Sequence, residues 1–547
     1  MNLLYLAQSG LSAAQAALNV VGSNMNNVAT EGYSRRNIIL GEAGGKTTAN
    51  GFFGYGVQVN SVKRAYDGFI NNQLRGAQTS YSTLSSRYEQ LSQIDNMLGD
   101  KSSNVSVSLN NIFGALEKIS SDPVSMAARQ EAMSQFKSTA YQFQSNARTL
   151  NGLEKSTNTQ INQTVTDINS CAKALATVNE ALYKSHAQTG GQPADLLDKR
   201  DMLLNELSKL VGVKVDENQL TGEVNVALSN GLPLVSGDRT CLFETAPSAA
   251  NPAQLEVSYI DASGNTIKLD EEKISSGKLG GLFKFRNEDL VDARDQLNQL
   301  ALQMANRFNE VNKAGFDSNG EAGTDIFTIV DPMALVNRNN QGDATLDISF
   351  SDISQVKVQD YTLVYEGPGA SDWLITDSSG MKITPEIGEQ GELTFDGITI
   401  QPQGTPEAGD SFIFNSADGV AENIAVAIKA GDKIAASSSG ENEEESNNEN
   451  IKDMIAIKNE ALIGKATLIE AYASLVSSVG SSVNDLKEKK QVAEYVQDQF
   501  ALQRQEIVGV NTEDEVIYLQ MYTQYYQANA QVLQTATTIF DAILNIR

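Results

Sequence analysis

Residues 512–547 read TEDEVIYLQMYTQYYQANAQVLQTATTIFDAILNIR. Within them Leu519, Tyr522, Tyr526, Asn529, Leu533, Ala536, Phe540 and Ile543 recur at alternating steps of three and four, the spacing of a helix that packs against another helix. The other end of the chain repeats the pattern with Leu4, Ala7, Leu11, Ala14, Leu18, Val21, Met25 and Val28, and with Ser, Gln, Asn and Gly at most positions between. Each stripe is too narrow and too rich in alanine to bury itself. The two helices are therefore expected to cover each other, or copies of themselves in neighbouring subunits, and everything between them reads as an insertion.

An apolar helical stripe is most often ordinary core, but two features argue here for a seam between subunits. Neither segment carries more than a few charges, and both are dense in Asn, Gln, Ser and Thr, a surface suited to repeated polar packing contacts. Asn529 lies on the stripe itself, where a buried amide costs stability but fixes helix register and association state. The predicted assembly seam is Leu4, Leu11, Leu18, Val21, Val28, Leu519, Tyr526, Asn529, Leu533, Phe540 and Ile543. Leu11, Leu18, Leu533 and Phe540 are its strongest packing positions.

The chain has 547 residues, enough for roughly three or four domains at about 150 residues each. A net charge of −27, with no basic patch carrying interleaved aromatics, argues against nucleic acid and anionic membranes as partners. The two cysteines, Cys171 and Cys241, lie far apart without CxxC spacing, so neither a disulfide framework nor a zinc site is indicated. The N-terminus has no basic start followed by an apolar block, and no window reaches the roughly 18–20 apolar residues of a membrane span. Export, if it occurs, would use a route that reads another signal.

The helical period continues from Tyr66 to Leu98 and returns over 105–119, 123–150, 153–183 and 194–210, with Pro123 after Asp122 as a helix start. At Val211 it gives way to short alternating runs, with DASGN at 261–265 as a hairpin turn. Helix resumes at 281–314. A second set of strands over 344–417 includes a tight turn at 377–380 and Trp373, read as a core residue. The expected fold is multidomain α+β with a nested architecture: paired N- and C-terminal coiled-coil-like helices, a long-helix domain and two inserted small β modules. The boundaries are 1–35, an N-terminal assembly helix pairing with 505–547; 36–210, the first part of the helical body; 211–280, the first β module; 281–316, a helix returning to the body; 317–430, the second β module; 431–450, an acidic linker; 451–504, the second part of the body; and 505–547, the C-terminal assembly helix.

The run at 23–36, SNMNNVATEGYSRR, resembles the N-terminal signature of bacterial flagellar axial proteins, and its Ala-Thr-x-Gly-Tyr-Ser-Arg form is most similar to the hook-associated protein 1 family. Its turn residues are Asn27, Gly32, Tyr33, Ser34 and Arg35. The ending YYQANAQVLQTATTIFDAILNIR and the GFDSNG connector at 315–320 agree with that resemblance, whereas flagellin lacks the Gly-Tyr-Ser-Arg turn. Glu31 stands where rod and hook relatives often carry proline, which makes the turn less rigid. The resemblance implies a non-enzymatic structural subunit joining hook to filament, a ring-like homo-oligomer whose terminal helices line a tube and whose β modules face solvent. It further implies contacts with hook protein and a second junction protein, a cytoplasmic chaperone on the C-terminal helix before type III export without a cleaved signal peptide, an extracellular flagellar location, and no cofactor.

Competing signals are weaker. The GxG at Gly54 and Gly56 has no following Lys-Ser/Thr, and 41–56 reads as an exposed loop with Phe52, Phe53 and Tyr55 as anchors. The lone His186 reads as an exposed loop residue without a second histidine to form a metal pair. Asp317, Asn319, Glu321 and Asp325 suggest a calcium loop, but Ala322 and Thr328 stand where an EF-hand needs Gly and Glu, so Asx turns are expected. The alternatives are another axial or phage-tail-like fibre protein, or a carbohydrate-cleaving enzyme that would need two carboxylates converging in a cleft.

Overall fold

The computed structural model describes residues 2–49, 51–100, 104–369, 372–440 and 446–544, and is mixed helix and sheet. Helix α1 (Asn2–Asn26) leads into a ribbon of β1 (Arg36–Glu42), β2 (Gly45–Thr48), β3 (Gly51–Gly54) and β4 (Val57–Arg64), in which β1 pairs with β4 and β2 with β3. The ribbon corrects the reading of 41–56 as a loop and of 36–65 as part of a helical body. Its strands bury neither face fully, so no clean apolar alternation marks them. Phe52, Phe53 and Tyr55 are exposed.

Then follow α2 (Gly68–Leu98), α3 (Val105–Ser121), α4 (Met126–Thr189) and α5 (Ala194–Leu210). Asp67 caps α2 by accepting from the Ile70 amide. Ser125, not Pro123, caps α4, and α4 is one 64-residue helix where the sequence suggested two. His186 accordingly sits in the last turn of that helix rather than in a loop.

The first β region holds a four-stranded sheet of β5 (Val213–Glu217), β6 (Val224–Leu228), β7 (Pro233–Ser236) and β8 (Arg239–Thr240), and a three-stranded sheet of β9 (Leu242–Pro247), β10 (Leu255–Ile260) and β11 (Thr266–Lys268). At the β10–β11 turn the Asp261 carboxylate accepts from the Ser263 and Asn265 amides. Val224, Val226, Leu228, Phe243 and Tyr259 share one core with Ile161, Val165 and Ile168 of α4 and with Leu204 and Leu207 of α5. Residues 211–280 thus lean on the long helix instead of enclosing a core of their own. The chain returns through α6 (Gly277–Lys284), a π-helical turn at Phe285–Asp289, and α7 (Leu290–Ala314).

After α7 come β12 (Phe327–Thr328), β13 (Leu335–Val336), β14 (Thr345–Phe350), β15 (Asp360–Tyr365), β16 (Trp373–Asp377), β17 (Lys382–Ile383), β18 (Glu386–Ile387), β19 (Leu393–Phe395), β20 (Ile398–Gln403) and β21 (Ser411–Asn415). Next are α8 (Val420–Asn423) and β22 (Ala425–Val426), which pairs with β12. Two sheets, ordered β13-β21-β15-β16-β17 and β14-β20-β19-β18, enclose Tyr361, Leu363, Trp373, Ile375, Ile398, Ile400 and Phe412. That core runs only from the mid-330s to Phe414. Ile326, Phe327, Val356, Ala417, Val420, Ile424 and Ile428 instead join Phe136 and Phe308 in the helical core, which corrects the limits 317 and 430.

The expected acidic linker at 431–450 is also corrected at its flanks: Ile434, Ala435, Ala436 and Asn450 are buried, and Asn450 donates to the Ala435 carbonyl at 2.7 Å. Its residues 441–445 lie outside the described residues. Asp317 forms the expected Asx turn, accepting from the Asn319 and Glu321 amides, and pairs with Lys433 at 2.9 Å. After α9 (Glu449–Ala456), α10 (Leu468–Val508) starts at a Thr467–Glu470 capping box and packs along α2. α11 (Thr512–Leu544) follows, so the helix break falls at 509–511 and not at 504–505.

Candidate assembly site

α1 and α11 lie antiparallel, since Asn24 meets Glu515 toward one end and Gly10 meets Asn529 further along. None of the residues in α1 is charged, and between 516 and 544 the only charged residue is Asp541. The buried residues of α1 are small: Ala7, Ala13, Ala14 and Ala17, with Val21 and Asn24. A Cβ on Gly10 would lie 2.3 Å from Asn529 Oδ1, so glycine lets the helices approach there. Leu4, Leu11 and Leu18 are half-buried at the edges of this face.

Val28, expected on the seam, lies in the turn beyond α1 and is 46% exposed. The helix stops at Asn26, and the Asn27 side chain donates back to the Ser23 carbonyl at 2.9 Å, so the period continues in sequence but not in space. On α11, Leu519, Asn529 and Leu533 are half-buried, Ala536 is buried, and Tyr526, Phe540 and Ile543 are exposed. Asn529 donates to its own helix, at the Tyr525 carbonyl, at 2.8 Å. Tyr5, Leu6, Tyr518, Tyr525, Val532 and Ile539 add to an apolar surface on the pair that the chain itself leaves uncovered.

The turn that follows α1 fastens the pair to the body. Gly32 has φ +82°, a left-handed conformation that glycine adopts without strain. Tyr33 Oη donates to Asn24 Oδ1 at 2.9 Å, and the Arg36 guanidinium lies 5.1 Å over the Tyr33 ring. Asn24 uses its whole amide: Oδ1 also accepts from the Arg36 N–H, while Nδ2 donates to the Arg36 carbonyl and to Glu515 Oε1 at 3.1 Å. Glu515 is 2% exposed, and burial pushes its carboxyl up against the opposing influence of Asn24 and Arg35. The Ser34 amide donates to Asp198 at 3.3 Å and the Arg35 amide to the Val508 carbonyl at 2.8 Å. We expect Asn24→Ala to strip four partners at once and cost about 2–3 kcal/mol, read as faster hydrogen exchange and proteolysis at 510–516 in the full chain.

Below the turn lies a charge network. Arg64 pairs with Asp198 at 3.1 Å and Asp201 at 2.7 Å and stacks on Tyr66, which donates to Glu217. Arg200, fully buried, reaches Asp201 at 2.8 Å and Glu217 at 2.7 Å. Burial lowers the pKa of nearby Arg75, and Asp201 opposes that shift. Sequence reasoning missed this network and Asn24. The run LLDKRD in α5 looks like a solvated helical face, and its partners Arg64 and Glu217 come from distant parts of the chain. Elsewhere Asp295 and Asp360 converge on the Asn415 amide at the junction between α7 and the second pair of sheets, where Asp295 and Asn415 are half-buried and Asp360 is exposed.

The family model described as the FlgK helical domain of flagellar hook-associated protein matches residues 91–327, the hook-associated protein 1 D2-like domain matches 335–416, and the flagella basal body rod protein model matches 4–33. The chain is 38% identical over 552 residues to flagellar hook-associated protein 1 of Escherichia coli K12, with both chains covered completely. It is 26% identical to the Bacillus subtilis protein of that name, over 59% of this chain and 69% of that one. The solved structure of the flagellar hook junction protein FlgK from Burkholderia pseudomallei superposes with a TM-score of 0.71 at 25% identity, covering 79% of this chain and 99% of that chain. The chain belongs to the flagellar hook-associated protein 1 family.

Proposed function

We propose that this chain is a non-enzymatic structural subunit of the bacterial flagellum, forming the junction between hook and filament and assembling with copies of itself through α1 and α11. The observation that carries the reading is the almost uncharged terminal helix pair, whose small-residue face is covered within the chain while Tyr5, Tyr525, Ile539, Phe540 and Ile543 remain exposed. A single helix pair gains little from packing on one side. Neighbouring copies would supply the remaining cover, giving a ring in which the seam residues Leu11, Leu18, Leu519, Asn529 and Leu533 set helix register.

In this reading the architecture is nested: both chain ends lie at one pole as a coiled-coil-like pair, the helical body follows, and the β units are carried away from the pole. The second unit is best bounded at 335–416. Hook protein on one side and a second junction protein on the other are the proposed partners, and a chaperone would hold the apolar α11 before export without a cleaved signal peptide to the extracellular flagellum. The exposed groove of α2 and α10, lined by Ala77, Leu84, Val492 and Val496, offers further area for packing between subunits.

The test adds purified full-length protein to isolated hooks that lack it and follows the tips by electron microscopy. Capping of the distal end, followed by filament growth when the second junction protein and flagellin are supplied, is the expected result. Folded protein that caps no hooks overturns the junction role.

A further inference from the structure

At one contact between the helical body and the second β unit, two acids are tied to one amide. Asp295 stands near the start of α7, while Asp360 opens β15 and Asn415 closes β21, opposite each other in register. Asn415 Nδ2 donates to Asp295 Oδ1 at 3.0 Å and to Asp360 Oδ1 at 2.8 Å, and its Oδ1 accepts from the Ala417 amide at 3.1 Å. Both hydrogens and the carbonyl of that amide are therefore in use.

The charged groups around Asp295 neutralise the pair only in part. Asp292 on α7 and Asp360 on β15 add negative charge. Arg294, the cation beside them, favours the ionised Asp295 but is also drawn to Glu154 on α4 at 2.9 Å and to Asp418 in the turn after β21. Two carboxylates thus share one amide group at an interface, and ionising Asp295 places like charges against each other there.

We propose that Asp295, Asp360 and Asn415 form a proton-dependent latch between the helical body and the second β unit, closed when Asp295 carries a proton and strained when it is ionised beside Asp360. A protonated Asp295 adds an O–H donor to the two N–H donors that the Asn415 amide supplies. Burial first, then Asp360, pushes the Asp295 carboxyl up to about 7. Because that value lies above the ordinary carboxyl value of about 3.9, the folded chain binds more protons than the unfolded chain between roughly pH 4 and 7. The latch therefore tightens as pH falls through 7 and is weakest above it. Two further ties across this junction do not titrate: Val356 is buried in the helical core, and Gln303 Nε2 donates to the Ile353 carbonyl at 2.8 Å. The unit accordingly stays attached and folded when the latch opens.

The test places spin labels at exposed positions 141 on α4 and 381 beside β17 in the full chain, with both cysteines replaced by alanine, and measures inter-label distances at pH 5.5 and 8.5. The expected result is a distribution that broadens at pH 8.5 in the parent and stays narrow at both values in Asp295→Asn. Equal widths at the two pH values in the parent, or a broadening that survives in Asp295→Asn, overturns the latch. Should Asp295→Asn fail to fold by circular dichroism, Asp360→Asn is measured instead, with the same outcomes deciding.

Discussion

Leu533→Asp is expected to abolish incorporation at the hook tip while both β regions stay folded. Leu533 is half-buried on α11, one helical turn from Asn529, which sits over Gly10 of α1, and close to the buried Ala536. α1 offers no cation to a carboxylate placed there, since it carries no charged residue. An acid withdrawn from water without a partner costs several kcal/mol, or else takes up a proton at a similar penalty. In the proposed ring the penalty would recur in every copy. Few residues of α11 are buried within the chain, so the pair has little packing with which to absorb the change. The β regions draw on separate cores, one against α4 and α5 and one around Trp373. Tryptophan fluorescence and the strand component of circular dichroism should therefore match the parent, while electron microscopy finds uncapped hooks. Normal capping by the variant would remove the seam from the account of assembly.

What the sequence made legible follows from which patterns are local. The helical period of 512–544 needs only its own spacing, and the turns at 261–265 and 377–380 need only an Asp whose carboxylate accepts from the amides that follow. The contacting face of α1 was harder to see, because a search for large apolar residues favours Leu4, Leu11 and Leu18. Close helix approach instead selects Gly10, Ala13 and Ala17, and leaves the leucines at the edge. The gap expected between 150 and 153 does not interrupt α4: the helix passes through Gly152, and nothing outside its own helix lies within 4 Å of where a Cβ would be. A single glycine costs only about 1 kcal/mol in a helix that packing supports over many turns.

The body's limits were illegible for a related reason. Segments 323–328 and 417–436 look like the ends of a β module because they border one, but their apolar residues Ile326, Val420, Ile424 and Ile434 complete a core whose other walls are helices. The two acids that close on Asn415 were hidden in the same way. Asp295 reads as one more charge on an amphipathic helix until β15 and β21 bring Asp360 and Asn415 against it.

Arg200→Met should lower the stability of the body by about 3–5 kcal/mol, the range found when one member of a buried ion pair is removed. Arg200 is fully buried, and its fork holds Asp201 through Nε and Nη2 and both Glu217 and the Gly222 carbonyl through Nη1. Around it Arg64, Arg75 and Arg200 face Asp198, Asp201 and Glu217, so deleting one cation leaves an excess of buried negative charge. Arg64 keeps Asp201 occupied, whereas Glu217 retains only the Tyr66 hydroxyl and the Gly222 carbonyl loses its side-chain donor. Arg200→Lys should recover little of the loss, because one ammonium cannot reproduce a planar fork aimed at three acceptors. As a control, Lys184→Met removes an exposed pair with Glu180 and should change stability by no more than about 1 kcal/mol. Urea unfolding followed by far-ultraviolet circular dichroism separates the three variants. Since Asp198 also accepts from the Ser34 amide, weakening this network should loosen the turn at 32–36 as well, seen as earlier proteolytic release of the N-terminal helix. An Arg200→Met protein as stable as the Lys184→Met control would mean that water already reaches the network and screens it, and that the turn is held by Asn24, Glu515 and the Arg35–Val508 backbone bond instead.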